Sequence, residues 1–294
     1  MKRTLSELIK NQVLVSDGAW GTFLQQKGLR PGECPELWNV THRADVLAIA
    51  RSYVEAGADL IETNSFGGSR FKLEKYGLGD RVMELNRAAA AISREAAGDR
   101  VLVLGSVGPT GKMLIMEEVT AEEMYDAFRE QALALEAGGA DAIIVETMTD
   151  LEEAVLAVRA ARENTGLEVI CTMTFDRLVT ADFRTMMGIS PAEMVQPLLD
   201  AGASILGTNC GNGMAGMIPV VEEIRRTHPT VPILVHANAG MPAYREGHTV
   251  FPESPEEMAS HVKALYQAGA CIIGGCCGTT PQHIVAIKKA AYFL

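Results

Sequence analysis

Short apolar runs recur along the chain at fairly even spacing, each closed by a small cluster of polar or Gly residues. Eight stand out: VLVSDGA at 13–19, LIETNSF at 60–66, VLVLGSVGP at 101–109, AIIVETM at 142–148, EVICTMTFD at 168–176, ILGTNC at 205–210, PILVHANAG at 232–240 and IIGGCCG at 272–278. These runs are rich in β-branched residues and apolar at successive positions, the pattern of parallel strands buried on both faces. Apolar residues at i, i+3, i+4 spacing separate most of them and predict helices, among them 121–136, 151–163, 191–199, 218–226, 255–267 and 281–291. Thr120 precedes two acids, and Ser190, Ser254 and Thr280 each precede a Pro, so capping hydroxyls mark four helix starts.

A small-residue phrase precedes four of the strands: AGAD at 56–59, AGGAD at 137–141, AGAS at 201–204 and AGAC at 268–271. Helix, Gly-bearing turn and strand therefore alternate through the chain. Eight such units in 294 residues predict a single-domain (β/α)8 TIM barrel spanning 1–294. An open doubly wound sheet is the competing architecture, but it would usually place G-x-G-x-x-G after the first strand, and DGAWGT at 17–22 does not fit that pattern. The first crossover, 23–41, is rich in Gly, Pro and charge and reads as a long loop over the barrel mouth.

Composition narrows the function. With 26 Lys+Arg against 37 Asp+Glu the net charge is −11, and the basic footprint of a nucleic-acid binder is missing. At 48% hydrophobic and 21% charged the chain has the make-up of a globular protein, and no apolar run approaches the roughly 20 residues that span a bilayer. The start, MKRTLSELIKNQ, has its apolar positions interrupted by Glu7, Lys10 and Asn11, which is not a signal-peptide pattern, so a cytoplasmic protein is expected. In a reducing compartment the six cysteines are core fillers, catalytic groups or metal ligands rather than disulfides.

In such a barrel, chemistry collects where strands end. The polar residues there are Asp17, Glu62 with Thr63 and Asn64, Thr110, Glu146 with Thr147, Asp176, Asn209 with Cys210, Asn238, and Cys276 with Cys277. Barrel curvature can bring Cys210 and the Cys276–Cys277 pair together, with Gly274, Gly275 and Gly278 letting the backbone turn both adjacent thiols to one side. Three sulfur ligands suit zinc and leave an open fourth position; core packing and a redox pair are the competing readings. Cys171 and Cys271 are expected in the packing and Cys34 in solvent. His236 is expected to be a satisfied core histidine, and His42, His228, His248, His261 and His283 surface or cap residues.

DGAWGT, IETNSF, GSVGPTG, ETMTD, GTNC and GGCCGTTP, in this order between about 13 and 285, resemble the zinc-dependent homocysteine S-methyltransferase family. The chain is most similar to the homocysteine-binding module of cobalamin-dependent methionine synthase; betaine–homocysteine and S-methylmethionine–homocysteine methyltransferases are relatives. The resemblance implies that Cys210, Cys276 and Cys277 hold Zn2+ and that the homocysteine sulfur takes the fourth position, where loss of its proton keeps it nucleophilic toward a methyl group. It further implies that Glu146 and Asp17 receive the substrate ammonium, that backbone N–H groups around Gly21 and Thr22 take its carboxylate, and that Asn238 orients or transiently ligates the metal. The methyl donor is expected to be methylcobalamin, held on a separate corrinoid protein or domain, because the few aromatic residues favour an open mouth for a large donor over an aromatic cage. Trp20, where the family often has Met, is a departure on the donor side. A betaine- or S-methylmethionine-type donor is the alternative. Two other classes compete: a metal-dependent lyase or aldolase using Asp17, Glu146 or Asp176 as acid–base groups, and a non-catalytic zinc-binding subunit.

Overall fold

The computed structural model describes residues 4–10, 12–245 and 248–294; the expectations made for 1–3, for Asn11 and for the side chain of His248 lie outside what is described. Eight parallel strands follow in chain order: β1 (Leu14–Val15), β2 (Leu60–Glu62), β3 (Leu102–Val107), β4 (Ala142–Met148), β5 (Glu168–Met173), β6 (Ile205–Gly213), β7 (Ile233–Asn238) and β8 (Ala270–Gly275). Their hydrogen-bonded order is β1-β8-β7-β6-β5-β4-β3-β2, and a parallel bridge from Ser16 to Leu60 joins the two ends, closing the barrel. All eight strand expectations are met, and the barrel fold is the one foreseen.

The recurring small-residue phrase has a common geometry. Gly57, Gly139, Gly202 and Gly269 all have positive φ, from 91° to 121°, the left-handed stop that ends each preceding helix without a Cβ clash. Two residues later the chain enters the sheet, and the N–H groups of Asp59, Asp141 and Ser204 donate to Val15, Val103 and Val169 at 2.7, 2.8 and 2.8 Å. The Asp59 and Asp141 carboxylates also accept the N–H groups of Val15 and Val103, both at 2.8 Å, so each aspartate stitches its strand to the one before.

Strand alternation divides the apolar residues into two layers. Leu14, Leu60, Leu104, Ile144, Ile170, Ile205, Leu234 and Ile272 point inward and fill the barrel floor, which Leu5 of the short helix Leu5–Leu8 plugs from below. The Glu168 carboxylate holds that plug by accepting the Leu5 N–H at 2.6 Å. The alternate residues, such as Val15, Ile61, Val103, Ile143 and Val169, face the outer ring of helices.

That ring consists chiefly of Arg43–Glu55, Val82–Ala97, Ala121–Gly138, Leu151–Asn164, Pro191–Asp200, Met214–Thr227, the pair Pro255–Ser260 and Val262–Ala268, and Pro281–Ala291. Thr120, Ser190 and Ser254 form capping boxes with Glu123, Glu193 and Glu257, each cap contributing about 1 kcal/mol, and Thr280 does the same with His283. Two helix expectations change. The helix expected over 218–226 starts earlier, at Met214, and the one expected over 255–267 breaks at His261. The first crossover is also more structured than expected: Gly21–Gln26 and Trp38–Thr41 are helical, and the loop between them brings Pro35 and Glu36 to the mouth. No helix among the described residues is long and apolar enough to cross a membrane.

Candidate metal and substrate site

The sheet is irregular at two strand ends, and both irregularities build the site. Register between β4 and β5 shifts between Val145 and Met148, and between β6 and β7 it shifts between Asn209 and Gly213. Within the first lies Thr147, with φ 60°, and within the second lies Cys210, with φ 58°. Left-handed backbone at non-Gly residues costs about 1 kcal/mol or more each, so the surrounding contacts must enforce it. The bulges turn Glu146 and Cys210 toward the barrel axis.

Beyond β8 the chain makes the tight turn Cys276–Cys277–Gly278. Gly278 has φ 80°, and a Cβ there would lie 2.2 Å from the Phe251 ring. A Cβ on Gly275 would lie 2.3 Å from Thr279 Oγ1, so the turn is closed to any larger residue at both positions. The Cys276 N–H donates to Ala237 at 2.7 Å and the Ala239 N–H to Cys277 at 3.0 Å, anchoring the turn to β7.

The result is the cluster anticipated from the strand ends: the sulfurs of Cys210, Cys276 and Cys277 all lie within 4.8 Å of one another, with Cys210 and Cys277 4.0 Å apart. Three sulfurs on a tetrahedral zinc would be about 3.8 Å apart, given Zn–S bonds near 2.3 Å. The donor set therefore fits a soft metal ion with little movement. Hydrogen bonds from the Cys276 and Cys277 thiols hold Cys210 well below the usual thiol range, while those same contacts and burial push Cys276 up. A cation is what allows all three to ionise together. Asn238 is buried and its side chain hydrogen-bonds Cys210, yet its Oδ1 has no hydrogen-bond partner, a free acceptor beside the sulfurs.

The cluster forms one wall of a cavity of about 270 Å3 whose lining includes Trp20, Gly21, Thr22, Glu36, Glu62, Glu146 and His236. Glu146 accepts from Ser106 Oγ at 2.5 Å and from Asn209 Nδ2 at 3.2 Å. Burial, then the nearby Glu62 charge, pushes its carboxyl far up. The same causes raise Asp17 to about 7, and burial raises Glu62 to about 8. Acidic groups crowded in a buried cavity favour a cationic ligand group.

Of the residues expected to bind substrate, Gly21, Thr22 and Glu146 line the cavity with the three cysteines, whereas Asp17, like Asn238, which was expected to orient the metal, is buried outside its lining. Asp176 does not join them: it is exposed in a two-stranded hairpin pairing Asp176–Arg177 with Phe183–Arg184, so of the three acids the lyase reading offered, this one lies away from the cavity. Cys34 is buried rather than exposed, its thiol 3.3 Å from Glu36 Oε2, because it packs into a small apolar cluster with Leu73, Val82 and Leu85. Cys171 is fully buried, as packing predicts. His236 is 2% exposed but not satisfied: its Nε2 has no partner, since the interior strand position aims it at the cavity rather than at a backbone acceptor. His283 caps its helix as expected, although it is buried. Sequence reasoning placed Glu62 and Asn209 at the strand ends without assigning them a role and passed over Glu36, which lies in the first crossover.

A closed parallel barrel with thiols and carboxylates gathered at one end of its axis defines a class of α/β enzyme that works on a small ligand at its strand ends. Comparison with known proteins narrows that class. The homocysteine S-methyltransferase family model matches residues 14–291, and the chain belongs to that family. It is 35% identical to the methionine synthases of Mycobacterium tuberculosis and Mycobacterium leprae, over 97% of this chain and 25% of each relative, so it spans a quarter of their length. Among solved structures it resembles the metallated form of the homocysteine methyltransferase MmuM from Escherichia coli, with TM-score 0.78, 22% identity, and coverage of 97% of this chain and 98% of that one.

Proposed function

We propose that the chain transfers a methyl group to the thiol of homocysteine, giving methionine, with Zn2+ held by Cys210, Cys276 and Cys277. The observation that carries this reading is the convergence of three cysteine sulfurs on a cavity that also presents the buried Glu146 carboxylate. Bound zinc supplies removal of the substrate thiol proton at neutral pH while leaving the sulfur nucleophilic. The chain's own residues do the rest. Glu146, fixed by Ser106 and Asn209, receives the substrate ammonium, and the backbone amides of Gly21 and Thr22 face its carboxylate. Asn238 steadies Cys210 and keeps one acceptor free beside the sulfurs. Holding the substrate by two charged ends limits it to orientations with the sulfur at the cysteines and open to the mouth, where a donor methyl can approach in line.

The donor in this reading is methylcobalamin on a corrinoid protein or domain presented at the mouth, in a cytoplasmic setting. The similarity to two methionine synthases over nearly the whole chain supports it. A second reading, a betaine- or S-methylmethionine-type onium donor, is favoured by Trp20 and Phe66, whose rings both line the cavity. The test is to incubate the zinc-loaded protein with homocysteine and, in parallel, methylcobalamin, betaine and S-methylmethionine, and to measure methionine. Methionine from methylcobalamin alone supports the corrinoid donor; methionine from an onium compound alone replaces it; none from any donor rejects the activity.

A further inference from the structure

The loops that follow β3 and β5 expose more apolar surface than a solvated rim requires. Ile115, Met116 and Met186 are 73%, 66% and 78% exposed, and Met187 is exposed beside them. Single apolar side chains on a surface need no explanation, whereas a contiguous set marks a contact face, and Met in particular adapts to the shape of a partner. Here the set is contiguous. The two loops wall one side of a groove of about 1040 Å3, and the first turns of Ala121–Gly138 and Leu151–Asn164 wall the other. Its apolar lining includes Leu114, Ile115, Val119, Val155, Met187 and Ile189. That volume exceeds the roughly 300–1,000 Å3 of small-molecule pockets, so the groove has room for several side chains of a larger partner. It shares no lining residue with the substrate cavity.

The polar lining is acidic throughout: Glu117, Glu118, Glu123, Asp150 and Glu152, with no Lys or Arg. Glu118, Glu123 and Asp150 accept the N–H groups of Met113, Thr120 and Glu152, respectively. The exposed Glu117 and Glu152 carboxylates have no hydrogen-bond or ion-pair partner among the described residues. This charge sorts the possible occupants. A second copy docked face to face would set acid against acid, in a chain that already carries −11. An anionic bilayer would be repelled in the same way. No strand lines the groove for an extended peptide to pair with, and no aromatic ring lines it for a proline-rich one. What the groove matches is a helix with one apolar face and basic flanks.

We infer that this groove docks a partner protein through a basic amphipathic helix, whose apolar residues at i, i+3, i+4 and i+7 pack on Ile115 and Met187 while flanking Lys or Arg meet Glu117 and Glu152. The inference concerns a surface apart from the cysteines and does not depend on the methyl-transfer reading.

Fluorescence anisotropy with the full chain at physiological ionic strength tests it. The probe is a labelled Leu/Lys peptide of about 18 residues, long enough to form a helix, with its Leu residues on one helical face. A scrambled peptide of the same composition and a Leu/Glu peptide of the same spacing serve as controls. The wild-type chain binds the amphipathic Leu/Lys peptide about 10-fold more tightly than either. Ile115→Ser with Met187→Ser, and separately Glu117→Lys with Glu152→Lys, each weaken that binding about 10-fold. Glu55→Lys with Glu222→Lys makes the same charge change at exposed helix positions outside the groove and weakens it less than about 2-fold. Absence of binding, equal binding of the scrambled peptide, groove variants that bind like the wild type, or an equal loss in the Glu55/Glu222 variant overturns the inference. Self-association in sedimentation that Ile115→Ser with Met187→Ser abolishes would make a second copy the occupant, and phosphatidylglycerol vesicle binding abolished by that variant would make it a membrane; either result also overturns the inference.

Discussion

Asn209 hydrogen-bonds Glu146 across two strands while its own main chain leads into Cys210. Its Nδ2 donates to Glu146 Oε2 at 3.2 Å and to Thr147 Oγ1 at 2.7 Å, and its Oδ1 accepts the Thr147 N–H and the Thr172 hydroxyl, both at 2.8 Å. One buried amide thus holds the left-handed Thr147 and ties the Glu146 carboxylate to the strand end that carries Cys210. Asn209→Ala leaves buried donors and acceptors unpaired and should destabilise the protein by about 3 kcal/mol. It should also weaken zinc and homocysteine binding together, which denaturant titration, metal analysis and calorimetry would show. Undisturbed binding of both would mean that the bulges hold themselves.

The cysteine cluster makes a sharp distinction among the six thiols. Replacing Cys210, Cys276 or Cys277 by Ser should abolish stoichiometric zinc, because two remaining thiolates make a much weaker site. Cys34→Ser, Cys171→Ser and Cys271→Ser should keep it, the buried Cys171 at some cost in stability. Metal analysis after dialysis reads the outcome, and one zinc per chain in all six variants would reject the assignment.

Glu146→Gln removes the charge while keeping the shape. Homocysteine binding should weaken by about 1.5–3 kcal/mol, with zinc content unchanged. Calorimetry showing wild-type affinity would place the ammonium elsewhere.

The buried carboxyls make stability depend on pH in a definite direction. Asp17 and Glu62 are raised from 3.8 and 4.5 to about 7 and about 8, so the native chain keeps protons that the unfolded chain has shed. Their contribution is complete below about pH 4 and is lost as pH rises through 8, at up to about 1.4 kcal/mol per pH unit for each proton. Urea titrations of the ligand-free protein should show stability falling from pH 5 to 8, with Glu62→Gln flattening the fall. A rise over that interval in the wild type, or equal slopes in both proteins, would show that these groups ionise freely.

The barrel was legible because its signals are local. Runs such as AIIVETM and VLVLGSVGP are short, β-branched and apolar on both faces, as a doubly covered parallel strand requires, and each Gly in the AGAD-like phrases marks a helix stop that depends on its own φ. The thiol cluster was legible for a related reason: a closed parallel barrel sends every strand end to one rim, so Cys210 and the Cys276–Cys277 pair had to lie on the same face. Cys34 and Asp176 were misjudged because they sit in long connections, where the partner that buries or exposes a side chain bears no relation to sequence spacing.

The sequence by itself determined the strand number, the helix caps and the strand ends at which Cys210, Cys276 and Cys277 sit, since each follows from periodicity or from local backbone chemistry. Only the tertiary structure decided which acid lines the cavity. Asp17 and Glu62 are 45 residues apart, both at strand ends and both buried, yet Asp17 is bonded to Trp20 outside the cavity lining while Glu62 is part of it. That difference arises when the sheet closes between Ser16 and Leu60, which sets the register of β1 against β2 and so decides which carboxylate is held by protein donors and which lines the cavity.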